Sequence, residues 1–255
     1  MIRAERDGDV ATITIDREER RNALNGDLCT VFTEALLEQQ DARAVVVTGA
    51  GSVFCAGADL ATRFGAGDGE GGTTDTFRPH FEVLLDAIVA HPAPVIAAVN
   101  GPAIGAGMQL CVACDLRIAR PDTRLAIPGG RLGVLLSPTN VWRLALLVGH
   151  GLARDFLLTG REVSGEVAER LGLVQRLADD PLAAAHELAA HIASLAPLTV
   201  QGHKRALNAV TESLVLTDAA RSELETLEAK VFASDDLAEG MAAFAEKRAP
   251  TFRGR

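Results

Sequence analysis

Two glycine-containing segments of the chain could stabilise a negative charge with backbone groups alone. The first reads SVFCAGADL over residues 52–60, and the second reads NGPAIGAGMQL over residues 100–110. Each follows a strand-like apolar run and has small residues where a helix would begin. Free N–H groups at two helix starts, with the positive ends of the helix dipoles, could bind a developing oxyanion if both faced one atom. Taken separately, each segment is more often explained by tight packing of helix on strand, and their convergence stays open at this point.

Two further motifs resemble functional sites, but their spacing argues against both. A GAG sequence at residues 49–51 follows a strand-like run, yet Phe54 occupies the third glycine position of a dinucleotide-binding turn. His186 and His191 lie five residues apart. That spacing is about 140° around a helix, whereas zinc ligands on a helix need a spacing of four. We therefore predict neither a nucleotide site nor a metal site on these residues.

The cysteines and the N-terminal sequence predict a reduced, cytoplasmic protein. Four cysteines are too few and too irregularly spaced for a disulfide framework in 255 residues, namely Cys29, Cys55, Cys111 and Cys114. Their one CxxC pair lacks a second ligand pair for zinc, so packing as small apolar side chains is the simpler interpretation. The first ten residues, MIRAERDGDV, lack the apolar segment of a secretory signal.

The composition excludes several classes of function. Apolar residues make up 48% of the chain and charged residues 23%, with a net charge of −9 and an isoelectric point near 5.2. There is no tyrosine, one tryptophan and nine phenylalanines. Nucleic-acid binding needs a basic surface and stacking aromatic side chains, so we exclude it. The apolar runs are far shorter than the ~20 residues that cross a bilayer, and we predict no membrane span.

Strand-like patterns come first along the chain, and helical patterns dominate its end. Strands are predicted over residues 10–16, 44–48, 95–100, 115–119 and 124–127. Helices are predicted over 27–40, capped by Asp27, and over 76–90, 105–113, 141–148, 152–158, 182–195, 199–233 and 237–248. Residues 65–72 hold five glycines among acidic and small residues, which predicts a mobile loop. We expect an α/β core over residues 1–198 and a helical region over residues 199–255.

Several segments together resemble a known family. Residues 21–25 (RNALN), 54–59 (FCAGAD) and 98–107 (AVNGPAIGAG) are similar to the leading motifs of the enoyl-CoA hydratase/isomerase (crotonase) superfamily. Residues 114–119 (CDLRIA), 171–174 (LGLV) and 239–248 (EGMAAFAEKR) extend the likeness over nearly the whole chain. The resemblance implies an α/β fold, a spiral of ββα units with a C-terminal helical trimerisation region. It also implies a homotrimer or a dimer of trimers.

The resemblance further implies an acyl-CoA thioester as the ligand, with no other cofactor. The backbone N–H groups of Ala58 and Ala106 would form the oxyanion hole. The residues expected to contact CoA are Ala23, Leu24, Ala56, Gly57, Asp59 and Leu60, with Phe244 and Lys247 reaching the nucleotide of a neighbouring subunit.

Hydratases of this family use two glutamates to add water to a double bond. Alignment with their motifs places Gln109 at the first of these positions and Gly129 at the second. An amide does not titrate in the working range and glycine has no side chain, so neither replaces a glutamate. The resemblance is therefore greatest to actinobacterial, including mycobacterial, members that lack both acids. His80 is a candidate proton carrier, although a solvated histidine at a helix start is the simpler interpretation.

Two functions follow from this resemblance. The first is an acyl-CoA-binding protein of fatty acid and lipid metabolism with little or no hydration, which implies lipid-synthesis enzymes as partners. One mycobacterial member of this kind carries long-chain acyl-CoA toward mycolic acid synthesis. The alternative is an active enoyl-CoA hydratase or isomerase of fatty acid β-oxidation.

Overall fold

The structure, a computed structural model, describes residues 1–62, 64–66, 73–212 and 218–253. The strands in these ranges are β1 (Ile2–Asp7), β2 (Val10–Ile15), β3 (Ala44–Gly49), β4 (Phe64–Ala66), β5 (Thr73–Asp75), β6 (Val95–Val99), β7 (Ala103–Ile104), β8 (Leu116–Ala119), β9 (Arg124–Ala126), β10 (Glu162–Ser164) and β11 (Arg176–Leu177). The helices are α1 (Gly26–Leu37), α2 (Arg78–Ala90), α3 (Ala106–Ala113), α4 (Pro138–Thr159), α5 (Gly165–Arg170), α6 (Pro181–Ser194), α7 (Pro197–Glu212), α8 (Asp218–Phe232) and α9 (Asp235–Glu246).

The central sheet has the strand order β1-β2-β3-β6-β8-β11, with β1 antiparallel to β2 and the other neighbours parallel. Strands β3 and β6 are buried along their whole length. Val45 belongs to the larger core cluster, with Phe32 of α1 and Leu84 of α2, whereas Val46 belongs to a second cluster with Leu188 of α6. Burial on both faces explains why these strands read as continuous apolar runs in the sequence.

The predicted α/β architecture is confirmed, with corrections at the ends of helices. Helix α1 begins at Gly26, and the side chain of Asn25 caps it by accepting a hydrogen bond from the N–H of Leu28 at 2.9 Å. The prediction that Asp27 is the cap is wrong. Asp27 lies inside the first turn. Its negative charge interacts favourably with the helix dipole there, but its side chain does not cap the helix. Helix α4 joins two predicted helices across a kink at Gly149, whose φ is 80°.

Other differences concern short or interrupted elements. Residues 199–233, predicted as one helix, contain α7 and α8, and residues 213–217 between them lie outside the described residues. Of the mobile loop predicted over 65–72, residues 67–72 also lie outside them, while β4 and β5 on either side pair antiparallel. Strands β1, β7, β10 and β11 are missed by the sequence patterns. Strand β1 is exposed at five of its six residues and so lacks a buried face, and the other three strands are too short to show periodicity.

Lys204 fixes the C-terminal helices to the core. Its Nζ donates to Oδ2 of Asp115 at 2.7 Å and to the carbonyls of Ala93 and Ile88 at 3.1 and 3.3 Å. The Lys204 side chain is only 6% exposed. Asp115 also accepts a hydrogen bond from the N–H of Val95 at 2.7 Å. Asp115 therefore links the C-terminal helices to the central sheet. The predicted boundary between residues 1–198 and 199–255 stays a prediction. No helix in the described ranges is long and apolar enough to span a bilayer.

Candidate functional site

The two glycine-containing segments run side by side at a cavity of about 800 Å³. The main chains of Cys55 and Ala103 form a parallel bridge. In it, Cys55 N–H donates to Pro102 O at 3.1 Å and Ile104 N–H donates to Cys55 O at 3.0 Å. A Cβ atom at Gly107 would lie 2.2 Å from Cys55 O, so this approach requires glycine. The fold thus brings together the two segments whose convergence the sequence leaves open.

The backbone N–H of Ala58 points away from Leu24, the residue with which Ala58 forms a parallel bridge. Leu24 N–H donates to Gly57 O at 2.8 Å, and Asp59 N–H donates to Leu24 O at 2.6 Å. In this parallel pairing the N–H of the residue between them points to the opposite side. Across the described ranges, no hydrogen bond is made by the Ala58 N–H. A Cβ atom at Gly57, whose φ is +111°, would lie 3.7 Å from the nitrogen of Ala106, so the two segments are within contact distance.

Ala106 is the first residue of α3, and its N–H also lacks a partner in the described part of the chain. The preceding Gly105 has a φ of 57° and no side chain to cap the helix. The first N–H groups of a helix have no intrahelical acceptor and carry the positive end of the helix dipole. Ala58 and Ala106 both line the cavity. Their free N–H groups could therefore donate to one oxygen atom there.

Gln109 and Gly129, the positions at which hydratases of the family carry glutamates, also line this cavity. Gln109 lies one turn into α3, and its Nε2 donates a long hydrogen bond to Gly105 O at 3.4 Å. Gly129 O accepts hydrogen bonds from the N–H groups of Leu132 and Val134, both at 3.0 Å. A Cβ atom at Gly129 would lie 2.6 Å from Val134 O. No side chain fits at this position unless the backbone moves.

The structure places most of the expected CoA contacts at the cavity. The lining residues among them are Ala23, Ala56, Gly57, Asp59, Leu60 and Phe244. Phe244 is 61% exposed and lies beside the cavity of its own chain. Leu24 does not line the cavity, because its side chain is fully buried in the core and only its backbone pairs with residues 57–59. Lys247 is exposed in a left-handed conformation after α9 and does not line the cavity either.

Asp59, an expected CoA contact, and His80, the candidate proton carrier, are both engaged by other side chains. Asp59 forms an ion pair with Arg17 at 2.9 Å and accepts a hydrogen bond from Ala61 N–H at 3.2 Å, so it braces the turn. His80 is exposed on α2, and its Nδ1 lies 3.0 Å from the hydroxyl of Thr30 on α1. It is not among the residues that line the cavity. The His80 hypothesis therefore has no support from the geometry.

The cysteines behave as packing residues. All four are buried and free. Burial raises the pKa of the Cys55 and Cys114 thiols to about 12 and raises that of Cys111 well above its usual value. The described residues contain no group of three metal-ligating side chains. Neither a reactive thiol nor a metal centre is indicated at this site.

Charged side chains along the cavity were missed by sequence reasoning. They are Glu19, Arg20, Arg21, Arg78, Glu82 and Arg124. The run EERRN over residues 18–22 was an available signal for the first three, because it overlaps a family motif. No sequence pattern distinguishes Arg78 or Glu82 from other surface residues of a helix. Their place at the cavity depends on how α2 packs.

Buried Asn22 holds the turn that carries Arg20 and Arg21. Its Nδ2 donates to the carbonyls of Ala50 and Val53 at 2.9 and 2.6 Å. Its Oδ1 accepts a hydrogen bond from Arg17 N–H at 2.9 Å. This side chain therefore joins residues 17–22 to the start of the first glycine-containing segment, and fixes the backbone that carries the two arginines.

Comparisons with known proteins identify the family of this chain. Residues 5–255 match the model of a family described as enoyl-CoA hydratase/isomerase. The chain is 41% identical over 247 residues to the probable enoyl-CoA hydratase echA6 of Mycobacterium tuberculosis, covering 96% of each chain. It is 35% identical over 251 residues to the putative enoyl-CoA hydratase/isomerase YngF of Bacillus subtilis, covering 96% of this chain and 95% of YngF.

Solved structures agree on the fold. A carnitinyl-CoA hydratase from Mycobacterium avium superposes with a TM-score of 0.83 at 33% identity, over 100% of this chain and 98% of that one. A methylmalonyl-CoA decarboxylase complexed with 2S-carboxypropyl-CoA superposes with a TM-score of 0.90 at 22% identity, over the same shares. At that identity the likeness concerns the fold alone. The predicted crotonase-type fold is confirmed, and the predicted trimerisation stays untested.

Proposed function

Since the chain belongs to the enoyl-CoA hydratase/isomerase family, we propose that its cavity binds an acyl-CoA thioester and holds the thioester carbonyl between the N–H groups of Ala58 and Ala106. The observation that carries this proposal is that both N–H groups lack partners in the described ranges and line one cavity. Two donors aimed at one oxygen polarise a thioester carbonyl and stabilise an enolate formed from it.

Cations at one side of the cavity support binding of the CoA part. Arg20 and Arg21 line the cavity together with Ala23, Ala56 and Leu60. A guanidinium pairs with phosphate through two parallel hydrogen bonds, and CoA carries several phosphate groups. Because Asn22 fixes the backbone of this turn, ordering on binding is confined to the two arginine side chains.

We further propose that hydration is slow, because neither Gln109 nor Gly129 can transfer a proton. General acid–base assistance contributes about 10²–10⁴-fold to a rate. Backbone donors are unaffected by these two residues, so binding is retained where hydration is lost. On this proposal the protein binds acyl-CoA in fatty acid or lipid metabolism, in the cytoplasm and as a homotrimer or a dimer of trimers. Lipid-synthesis enzymes would be its partners.

An active hydratase or isomerase is the second candidate, and one observation favours it. Glu82, a carboxylate outside the family motifs, lines the cavity and could accept a proton. The relatives from Mycobacterium tuberculosis and Bacillus subtilis carry names of this activity.

A paired measurement separates the two candidates. Melting temperature is followed with saturated acyl-CoAs and, as the matched control, with CoA lacking an acyl group. The absorbance of an enoyl-CoA is followed in parallel. A ligand at 100-fold above its Kd contributes about 2.7 kcal/mol, which is a shift of roughly 5–11 °C for a domain of this size. A shift that requires the acyl group, without loss of absorbance, is the expected result. Rapid loss of absorbance would refute slow hydration, and no shift with any acyl-CoA would refute the binding site.

A further inference from the structure

A carboxylate outside the family motifs, with one unpartnered oxygen in the described ranges, lines the cavity. The Glu82 side chain is 26% exposed and lines the cavity from α2. Its Oε1 accepts a hydrogen bond from Asn140 Nδ2 at 3.1 Å and lies 3.9 Å from Arg78 Nε. Among the residues that the structure describes, no donor contacts Oε2. One oxygen is therefore held in place while the other is available to a ligand.

Buried contacts fix the position of this carboxylate. Asn140 is 4% exposed, and its Oδ1 accepts a hydrogen bond from Arg143 Nη1 at 3.0 Å. Arg143 Nη2 pairs in turn with Asp86 at 2.6 Å. Because the Asn140 oxygen is occupied by a guanidinium, its amide nitrogen must face Glu82. Glu82 is thus oriented by a chain of contacts from α4, unlike a freely rotating surface glutamate.

Apolar side chains also line the cavity that Glu82 faces. Phe77 and Phe81 line the cavity from the same side of α2, and their rings stack with centroids 4.9 Å apart. Leu132 and Leu136 line it from the segment that follows Gly129. An alkyl chain placed here would displace water from the free carboxylate oxygen. It could not replace the hydrogen bond that the water donates, and this loss is unfavourable. A ligand hydroxyl could instead donate a charge-assisted hydrogen bond to that oxygen.

Glu82 and Arg78 place opposite charges close together at the cavity. Arg78 Nε lies 3.9 Å from the carboxylate, and the Arg78 guanidinium stands over the ring of Phe232 at 5.1 Å. A ligand ammonium or carboxylate group would be attracted by one of these charges and repelled by the other. A hydroxyl group carries no charge to desolvate and can donate to Oε2.

We propose that Glu82 is a specificity-determining residue that selects acyl groups bearing a hydroxyl on the part of the chain that faces α2. The proposal rests on the acyl-CoA binding proposed above. Asn140 is the positioning residue that holds the carboxylate. Plain alkyl thioesters are then weaker ligands than their hydroxylated counterparts.

The test measures affinity by calorimetry for octanoyl-CoA and for octanoyl-CoAs with a hydroxyl at successive carbons. At one position the hydroxyl is expected to strengthen binding to the wild type by about 10- to 100-fold. In Glu82→Gln, which keeps the shape of the side chain, the hydroxyl meets a neutral group, and that gain is expected to fall to about 2- to 13-fold. Glu82→Leu removes the polar group altogether and is expected to bind plain octanoyl-CoA more tightly than the wild type.

A second cavity carboxylate provides the matched control. Glu19 lies 3.8 Å from Arg17, next to the arginines proposed to bind CoA. Glu19→Gln is expected to change the affinity for hydroxylated and plain chains by the same factor. An equal hydroxyl effect at every position in the wild type and in Glu82→Gln would overturn the role of Glu82, although acyl-CoA still bound. Absence of binding by any acyl-CoA to the wild type would instead refute the proposed function itself.

Discussion

Replacing Ala106 with proline removes one proposed carbonyl donor while sparing the helix that carries it. Ala106 is the first residue of α3, where the N–H has no intrahelical acceptor and the φ of proline is tolerated. Three other helices of this chain already begin with proline, at Pro138, Pro181 and Pro197. We therefore expect Ala106→Pro to fold with a melting temperature close to that of the wild type.

The size of the effect depends on the charge of the bound oxygen. One hydrogen bond to a neutral carbonyl contributes about 0.5–1.5 kcal/mol. Ala106→Pro should therefore lower the affinity for a saturated acyl-CoA by about 2- to 13-fold. A donor to an oxyanion contributes about 2.7–4 kcal/mol. The affinity of the variant for an acyl-CoA analogue with an anionic oxygen at the carbonyl position should therefore fall by roughly 100- to 1000-fold. The proline ring adds a steric loss that is common to both ligands, so the ratio of the two losses is diagnostic.

Calorimetry with both ligands measures this ratio, and Ala106→Gly is the control because it keeps the N–H. Infrared difference spectra of a carbonyl-labelled acyl-CoA provide an independent measurement. Two donors should lower the stretching frequency of the bound carbonyl in the wild type and in Ala106→Gly, and Ala106→Pro should lower it less. Equal losses for the neutral and the anionic ligand in a folded Ala106→Pro variant would refute the donor role of this N–H.

Three further substitutions follow from the geometry. Gln109→Glu supplies a carboxylate one turn after Ala106 and should raise the hydration rate of an enoyl-CoA by about 100-fold, the low end of the 10²–10⁴-fold range for a base. The rate is measured by absorbance, and no increase in a variant that still binds acyl-CoA would contradict the assigned position. Gly129→Ala should lower the melting temperature by about 2–12 °C, because its Cβ would lie 2.6 Å from a backbone oxygen and overpacking costs about 1–3 kcal/mol. Gly130→Ala, where a Cβ would contact nothing within 4 Å, should not lower it, and equal losses at the two glycines would argue against this backbone geometry. Lys204→Met leaves Asp115 without its cation and should cost roughly 3 kcal/mol, or about 6–12 °C in melting temperature, because a buried pair is broken. Combining it with Asp115→Asn should recover part of the loss, and no recovery would mean that the lysine acts through packing alone.

The parts of the site that the sequence predicted are those built from backbone. Gly57, Gly105 and Gly107 stand where φ is positive or where another main chain approaches, and such requirements are visible as residue type. The strands β3 and β6 were equally visible, because burial on both faces leaves an uninterrupted apolar run.

What the sequence could not predict depends on contacts between distant elements. Glu82 resembles any polar residue on an amphipathic helix until α4 brings Asn140 against it. Asp27 and Asn25 are both good capping residues by type, and only the backbone of the turn decides between them. Strands of two residues such as β7 exist because neighbouring segments supply their partners, and they leave no periodic signal.

The cavity has two walls that differ in how they can move. On one side, main-chain hydrogen bonds join Cys55 of the first glycine-containing segment to the second segment. Similar bonds join Leu24 to the first segment. On the other side, the lining comes from side chains, among them the largely exposed ring of Phe244 on α9. In the proposed binding mode, a ligand would enter and leave by displacing these side chains, while the backbone of the two glycine-containing segments would stay in place. Residence time and carbonyl polarisation would then depend on different residues.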